Sequence, residues 1–229
     1  MGNKPFVIIA MDGRAASGKS TTSRALAKRF HLMHVDTGCY YRALTWYLLQ
    51  NNVDLSLGNK VTAFFDGMEL GTSIEGETAH ISFNGEVVPD SVLRTPEVNA
   101  RVSTVAAIPR IRQYLFDFQR EQKHIAREAG FNGLVMEGRD IGTAIFPEAD
   151  FRFFLEADIE TRVQRRAAEG KVDHIVKRDH VDSTRAASPT NCPEGAIRID
   201  TSHLGFEEVV DKVCEIINGA LCPAGESRS

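Results

Sequence analysis

Residues 13–21 read Gly-Arg-Ala-Ala-Ser-Gly-Lys-Ser-Thr, and this stretch matches the phosphate-loop pattern G-x-x-x-x-G-K-[ST]. The pattern is informative only where it leaves a buried strand and enters a helix. Both flanks meet that condition, because Phe6–Ala10 is a short apolar run and Ser20–Phe30 spaces its apolar residues as a helix does. A chance match in a turn of small residues is the alternative, and the agreement of strand, loop, lysine and helix argues against it.

The residue types of this loop suit a nucleoside triphosphate. Glycines let backbone N–H groups surround phosphate oxygens, and the helix that follows points its positive end at the same phosphates. Lys19 can reach the β- and γ-phosphates of ATP, and the hydroxyl of Ser20 can hold Mg²⁺. The predicted nucleotide-binding residues are Gly13, Arg14, Ala15, Ala16, Ser17, Gly18, Lys19, Ser20 and Thr21.

Composition narrows the class of protein. The chain has 229 residues, 42% of them hydrophobic, which is within the range of one domain with a substantial core. A net charge of −4 argues against a nucleic-acid binder with a broad basic surface. The four cysteines are scattered without a Cys-x-x-Cys, so neither a zinc site nor a disulfide framework is indicated. With no signal peptide and no membrane-spanning stretch in the pattern, we expect a cytoplasmic protein that binds neither membranes nor nucleic acid.

Five short apolar runs separated mostly by helical patterns predict a doubly wound parallel α/β sheet. The predicted strands are 6–10, 34–38, 133–137, 151–155 and 196–201. An Asn-Gly turn at Asn84-Gly85 lies between strand-like runs, and such a hairpin does not belong in a βαβ series. We therefore predict an inserted antiparallel sub-domain there. Residues 170–185 are polar and charged, which predicts a mobile segment with few core residues.

Three further stretches carry groups that bind anions. Residues 36–42 place Thr37, Tyr41 and Arg42 at the start of a helix, either as an anion site or as a capped helix with Thr37 near its N-cap. Residues 138–143 hold Arg139-Asp140 between glycines at the carboxyl end of a strand, where open α/β sheets bind ligands. The helix after Asp158 carries three arginines, which form either a solvated face or part of the site. These arginines are Arg162, Arg165 and Arg166.

Taken in chain order, six stretches resemble the bacterial cytidylate kinases, the (d)CMP kinase branch of the nucleoside monophosphate kinases. The glycine-bounded stretches around residues 36–38 and 138–143 are more specific to this family than the phosphate loop alone. The stretches, which cover nearly the whole chain, are 12–21, 36–38 with Tyr41-Arg42, 94–98, 103–112, 138–143 with Phe146-Pro147, and Arg178-Asp179 with Asp182 and Arg185.

The resemblance implies a P-loop NTPase-type fold and transfer of the γ-phosphoryl group of ATP to CMP or dCMP, with Mg²⁺, giving CDP or dCDP and ADP. It implies one kinase domain, whose core covers about 1–60, 110–169 and 186–221. It also implies a nucleoside-monophosphate-binding insertion at about 61–109 and a lid at about 170–185. Residues 222–229 are expected to form a disordered tail, and the family predicts a monomer.

The same resemblance assigns roles by matching position. Ser103, Arg112 and Asp140 would read the cytosine edge, where Asp140 accepts from the exocyclic amine that uracil lacks. Arg42, Arg139 and Arg185 would hold the acceptor phosphate. Thr37 and Tyr41 would line its pocket, and Arg178 and Asp182 would face the ribose. The implied catalytic residues are Lys19, Arg139, Arg185, Arg166 and Arg162.

The chain departs from the family pattern at three places. Ala16 stands where the family usually has glycine and Arg14 where it usually has proline, so a positive φ at position 16 would cost about 1 kcal/mol. The stretch between Arg166 and Arg178 is shorter than usual, and Val181 replaces a polar residue. The alternatives are a kinase for another monophosphate, UMP or AMP, and a non-catalytic ATP-binding regulatory module.

Overall fold

The apolar run before the phosphate loop forms the central strand of a mixed sheet. The structure, a computed structural model, describes residues 5–54, 61, 63–65, 67–168, 175–184 and 188–221. Its strands are β1 (Val7–Gly13), β2 (Met33–Asp36), β3 (Leu70–Glu75), β4 (Thr78–Phe83), β5 (Glu86–Val87), β6 (Gly133–Gly138), β7 (Phe151–Glu156) and β8 (Ile197–Asp200). Its helices are α1 (Lys19–Phe30), α2 (Thr37–Gln50), α3 (Asp90–Leu93), α4 (Pro96–Ala106), α5 (Pro109–Glu128), a π-helix (Ile141–Ile145), α6 (Ile159–Ala168), α7 (Ile175–Thr184) and α8 (Phe206–Leu221).

The strands β2, β6, β1, β7 and β8 lie side by side in that order, and every neighbouring pair is parallel. This is the five-stranded parallel sheet that the sequence predicts. Alternate residues of a strand point to opposite faces of the sheet, and helices cover both faces. Ala10 packs with α2, α4 and α5, whereas Ile9 and Met11 pack with α1 and α8.

The predicted hairpin is present and is joined to the edge of this sheet. β3 and β4 are antiparallel, and β4 pairs in parallel with β2 through His34↔Thr78 and Val35↔Ala79. The predicted Asn-Gly turn connects β4 to β5, and both of its residues adopt positive φ, at 50° for Asn84 and 85° for Gly85. The insertion therefore continues the main sheet instead of forming a sheet of its own.

Two local features add detail to the sequence expectation. The N-cap of α2 is Asp36, whose Oδ1 accepts from the backbone N–H of Cys39 at 3.3 Å; Thr37 is the first helical residue. The segment 170–185, expected to be mobile with few core residues, contains helix α7, in which Ile175 and Asp182 are buried. Residues 170–174 and 185, together with the predicted tail at 222–229, lie outside the described residues.

Within the described part of the chain, no helix is long and apolar enough to cross a membrane.

Candidate active site

A cleft open to solvent lies at the carboxyl ends of β1, β2 and β6. This is the edge where open α/β sheets bind ligands. Ten of the predicted site residues line it together: Lys19, Ser20, Thr37, Tyr41, Arg42, Ser103, Arg139, Asp140, Arg166 and Asp182. Arg112 contacts the cleft through Asp140, whereas the predicted Arg185 and the side chain of the predicted Arg178 lie outside the described residues.

The phosphate loop has the backbone that anion binding requires. A Cβ on Gly13 would lie 2.2 Å from the carbonyl oxygen of Leu155, so only glycine fits against β7. Gly18 adopts φ 89° immediately before α1, which opens with Lys19. The Lys19 Nζ donates to the carbonyl oxygen of Arg14 at 3.4 Å, and Thr21 Oγ1 donates to the carbonyl of Gly18 at 2.7 Å. The left-handed turn at Gly18 thus leads directly into the helix N-terminus, and Lys19 lines the cleft.

Ala16 adopts φ 57°, the left-handed conformation that the sequence analysis identified as costly for alanine. We expect Ala16→Gly to raise the melting temperature slightly, because relief of about 1–2 kcal/mol of strain exceeds the entropy that glycine adds to the unfolded chain. Ala25→Gly, in the middle of α1, is the matched control and should lower it, since glycine costs about 1 kcal/mol inside a helix. Calorimetry of both variants measures the two shifts, and a lower melting temperature for Ala16→Gly would contradict the strain.

At the other end of the cleft, Asp140 and Arg112 form a buried ion pair. Arg112 Nη1 also donates to the carbonyl oxygen of Ala106 at 3.2 Å, and its guanidinium lies 5.4 Å from the centre of the Tyr41 ring. Ser103 lines the cleft on α4. These contacts bring the three residues predicted to read a base to the same end of the cleft and orient a carboxylate that can accept from an amine.

The region between the two ends is positively charged. Burial alone would raise the pKa of Asp36, but the guanidinium groups of Arg42 and Arg94 outweigh it and hold the pKa well below its usual range. Arg42 is itself buried and donates through Nε to Asn99 Oδ1 at 3.5 Å. Arg94, which the sequence analysis did not assign, donates to Asp36 at 3.2 Å and lines the cleft. Two arginines beside one carboxylate leave a field that favours an anion.

Two of the three arginines of α6 hydrogen-bond to the phosphate loop, and the third lines the cleft. Arg162, predicted to be catalytic, is almost fully buried and donates to the carbonyl oxygens of Ala157 and Ala15. Arg165 donates to the carbonyl of Ala16 at 3.5 Å and to that of Thr201 at 2.6 Å. Arg166 lines the cleft. Arg162 and Arg165 are therefore not on a solvated face: both contact the loop backbone.

Helix α7 contacts the core beside the cleft through two aspartates on one helical face. Asp179 pairs with Arg162 and also accepts from the backbone N–H of Ala15 in the phosphate loop at 3.4 Å. Asp182 pairs with Arg139 Nε at 3.2 Å, and Arg139 Nη1 donates to the carbonyl oxygen of Gly13 at 2.9 Å. Arg139 therefore lies between the phosphate loop and α7.

Two buried carboxylates hydrogen-bond to residues of the site. The sequence analysis gave neither of them a role. Glu137, at the end of β6, accepts from Ser20 Oγ at 2.5 Å, and its other oxygen lies 2.9 Å from His34 Nε2. Asp12, fully buried at the end of β1, accepts from the backbone N–H groups of Ile141 and Gly142. Both follow apolar runs, which is the only sequence signal that could have singled them out.

Burial raises the pKa of Asp12 to about 7, although the N–H groups of Gly142 and Ile141 work in the opposite direction. A folded-state pKa above the unfolded value stabilises the protein at low pH, and that stabilisation is lost as pH rises through the folded pKa. We therefore expect the stability of the wild type, relative to Asp12→Asn, to fall by roughly 4 kcal/mol between about pH 4 and about pH 7. Denaturant unfolding across this range measures it, and a pH-independent difference would contradict the raised pKa.

The chain is similar to known proteins over nearly its whole length. The family model described as cytidylate kinase matches residues 9–219. The chain belongs to the cytidylate kinase family. The cytidylate kinase of Caldanaerobacter subterraneus subsp. tengcongensis is 40% identical over 222 residues, which cover 92% of this chain and 94% of that protein. That of Geobacillus sp. is 39% identical over 223 residues, covering 92% and 96%, and that of Streptomyces avermitilis is 36% identical over 220 residues, covering 93% of each.

Membership of the cytidylate kinase family confirms the predicted resemblance and the predicted enzyme class, a nucleoside monophosphate kinase. The alternatives of another monophosphate substrate and of a non-catalytic module are not favoured.

Proposed function

We propose that this chain transfers the γ-phosphoryl group of ATP to CMP or dCMP, with Mg²⁺, and releases ADP with CDP or dCDP. The observation that carries this proposal is that a buried Asp140–Arg112 pair and a phosphate loop open onto the same cleft. Asp140 accepts from the exocyclic amine of cytosine, and Arg112 donates to the acceptors of the ring. Uracil has no amine at that position, so it would leave the buried carboxylate poorly paired.

The acceptor phosphate binds among the arginines of the middle of the cleft. Arg42 and Arg139 donate to its oxygens, and Thr37 and Tyr41 line its pocket; Arg185 completes the set by family resemblance. Asp182 and Arg178 face the ribose. Guanidinium groups suit this task because their paired N–H groups match two phosphate oxygens at once.

The attacking atom is an oxygen of the CMP phosphate, which is already anionic, so transfer needs no general base. The protein has to neutralise two phosphates that repel each other, align them and exclude water. Lys19 and Arg139 place positive charge beside the transferring group, with Arg166 at the wall of the cleft. Arg162 contributes by holding the phosphate-loop carbonyl of Ala15 and, through Asp179, helix α7.

The residues present fit a magnesium ion. Ser20 Oγ and a carboxylate oxygen of Glu137 lie 2.5 Å apart beside the phosphate loop, and oxygen is the donor that Mg²⁺ prefers. Ser20 and Glu137 would hold it, where it would neutralise charge on the ATP phosphates.

We further propose that the enzyme acts as a monomer in the cytoplasm, with the insertion at about 61–109 and the lid at about 170–185 moving toward the core as the substrates bind. The family resemblance supports the monomer. The ion pairs of Asp179 and Asp182 span from α7 to the core, so substrate phosphates can compete for the same arginines. Closure of α7 would exclude water that otherwise hydrolyses ATP.

A panel of acceptors tests the proposal. Steady-state rates with ATP and Mg²⁺ are measured for CMP, dCMP, UMP and AMP. We expect kcat/KM for CMP or dCMP to exceed that for UMP by about tenfold to a hundredfold, which is the cost of leaving Asp140 without its partner. A preference for AMP would refute the role of Asp140, and no ADP formation with any acceptor would support the regulatory module.

A further inference from the structure

Asp12 holds the turn that carries Arg139 and Asp140. Its Oδ1 accepts from the N–H of Ile141 at 2.8 Å, and its Oδ2 accepts from the N–H of Gly142 at 2.7 Å. These two residues open the π-helix that follows Asp140 directly. The carboxylate therefore fixes the backbone immediately after the two residues proposed to bind the acceptor.

The main chain of Asp12 leads into the phosphate loop, which is the part of the site proposed to bind the donor. Asp12 pairs with Gly138 in the sheet and is followed by Gly13, the first residue of the phosphate loop. The carbonyl of Gly13 accepts from Arg139 Nη1 at 2.9 Å. One residue thus touches both substrate sites: its backbone leads into the donor loop, and its side chain fixes the acceptor turn.

The geometry requires a carboxylate. Two N–H groups reach it from successive residues, and each needs its own acceptor oxygen. Asparagine offers one oxygen and would turn an NH₂ group toward the second N–H, leaving a buried donor unpaired. Asp12 is fully buried, and burying a carboxylate is costly, as its raised pKa indicates.

We propose that Asp12 is a positioning residue that aligns the acceptor with the phosphate loop by fixing the turn of Arg139 and Asp140. This inference rests on the proposed function. Asp12 touches neither substrate in this role, and its effect passes through the backbone of residues 139–142. Its loss should therefore loosen recognition of the base and alignment of the acceptor while leaving the donor loop able to bind ATP.

The test compares Asp12→Asn with the matched control Asp150→Asn. Asp150 also accepts one N–H of the same strand, that of Ile8 at 2.8 Å, but at the far end of β1 from the cleft. For Asp12→Asn we expect KM for CMP to rise about tenfold or more and the ratio of kcat/KM for CMP over UMP to fall about tenfold, with the Kd for ATP within about threefold of wild type. Asp150→Asn should leave all three values within about twofold.

The outcomes separate the inference from the function on which it rests. A wild type that does not prefer CMP over UMP refutes the proposed function. A wild type that prefers CMP, with a folded Asp12→Asn that keeps the same preference and KM, overturns the inference alone. Equal losses of affinity for ATP and CMP would also overturn it, because they would indicate a general structural role.

If Asp12→Asn does not fold, the wild type supplies the measurement. Three titratable groups interact electrostatically with Asp12: Asp140, Arg139 and the thiol of Cys192. The amide resonances of Ile141 and Gly142 should titrate with Asp12, and the CMP over UMP ratio should fall as pH decreases through the same midpoint. The two acceptors share a phosphate, so its own titration cancels in the ratio. A ratio that stays constant while the amides titrate overturns the inference.

Discussion

Lys19→Ala is expected to lower kcat by about a hundredfold to a thousandfold at saturating ATP, the loss measured when one preorganised charge is removed from a transition state. Lys19 opens α1 at the mouth of the phosphate loop, with its ammonium held near the carbonyl oxygen of Arg14. In phosphoryl transfer the protein contributes mainly charge and alignment, so no other group can take over this task at the same position. Coupled-enzyme measurement of ADP release gives kcat directly.

Lys28→Ala is the matched control for this experiment. Lys28 lies on the same helix as Lys19 but is exposed near its C-terminal end, away from the cleft. Its replacement removes the same charge from the chain and should leave kcat within about twofold of wild type. A Lys19→Ala enzyme with near-normal kcat would place the triphosphate elsewhere and remove the foundation of the mechanism.

The parallel sheet could be predicted from sequence because each of its strands is a short apolar run. Such strands are buried on both faces, so their residues carry the signal without any knowledge of their neighbours. The parallel pairing of β4 with β2 is different, because it involves residues such as Thr78 and Ala79 whose partners lie more than forty positions away in the sequence. The hairpin could be predicted from its own turn, whereas its place at the sheet edge depends on tertiary packing.

Helix α7 shows why local patterns miss some elements. Its sequence offers Ile175 as a buried apolar residue but otherwise consists largely of polar and charged side chains. Its contact with the core comes from the pairs of Asp179 with Arg162 and of Asp182 with Arg139. Ion pairs between distant residues have no periodicity along the chain, so they cannot be read from the segment alone.

As with the fold, only part of the candidate site could be predicted from the sequence. Residues that would face a nucleotide, such as Lys19 and Arg139, lie in motifs whose spacing has a chemical reason. Asp12 and Glu137 hydrogen-bond to residues of the site from the buried ends of β1 and β6. A buried strand is expected to carry a carboxylate only if the partners of that carboxylate are known. Those partners come from residues more than one hundred positions away, as in the contacts of Asp12 with Ile141 and of Glu137 with Ser20.

Asp140→Ala is expected to raise KM for CMP by about tenfold to a hundredfold and KM for ATP by less than about threefold. The substitution removes the acceptor proposed for the cytosine amine and leaves the buried guanidinium of Arg112 without its carboxylate, a loss of about 1.5–3 kcal/mol. The effect on ATP should stay small because Asp140 is proposed to contact the acceptor base and not the triphosphate. Initial rates with each substrate varied at saturating concentrations of the other separate the two constants.

Asp117→Ala serves as the matched control, since Asp117 is an exposed aspartate on α5, the helix that also carries Arg112. It should change neither KM by more than about twofold. The ratio of kcat/KM for CMP over UMP adds a second measurement, because removal of Asp140 should weaken CMP while affecting UMP less, since uracil has no amine to lose a partner. An equal rise in KM for CMP and ATP would exclude Asp140 from the base pocket, and with it the argument that this cleft selects cytosine through a buried carboxylate.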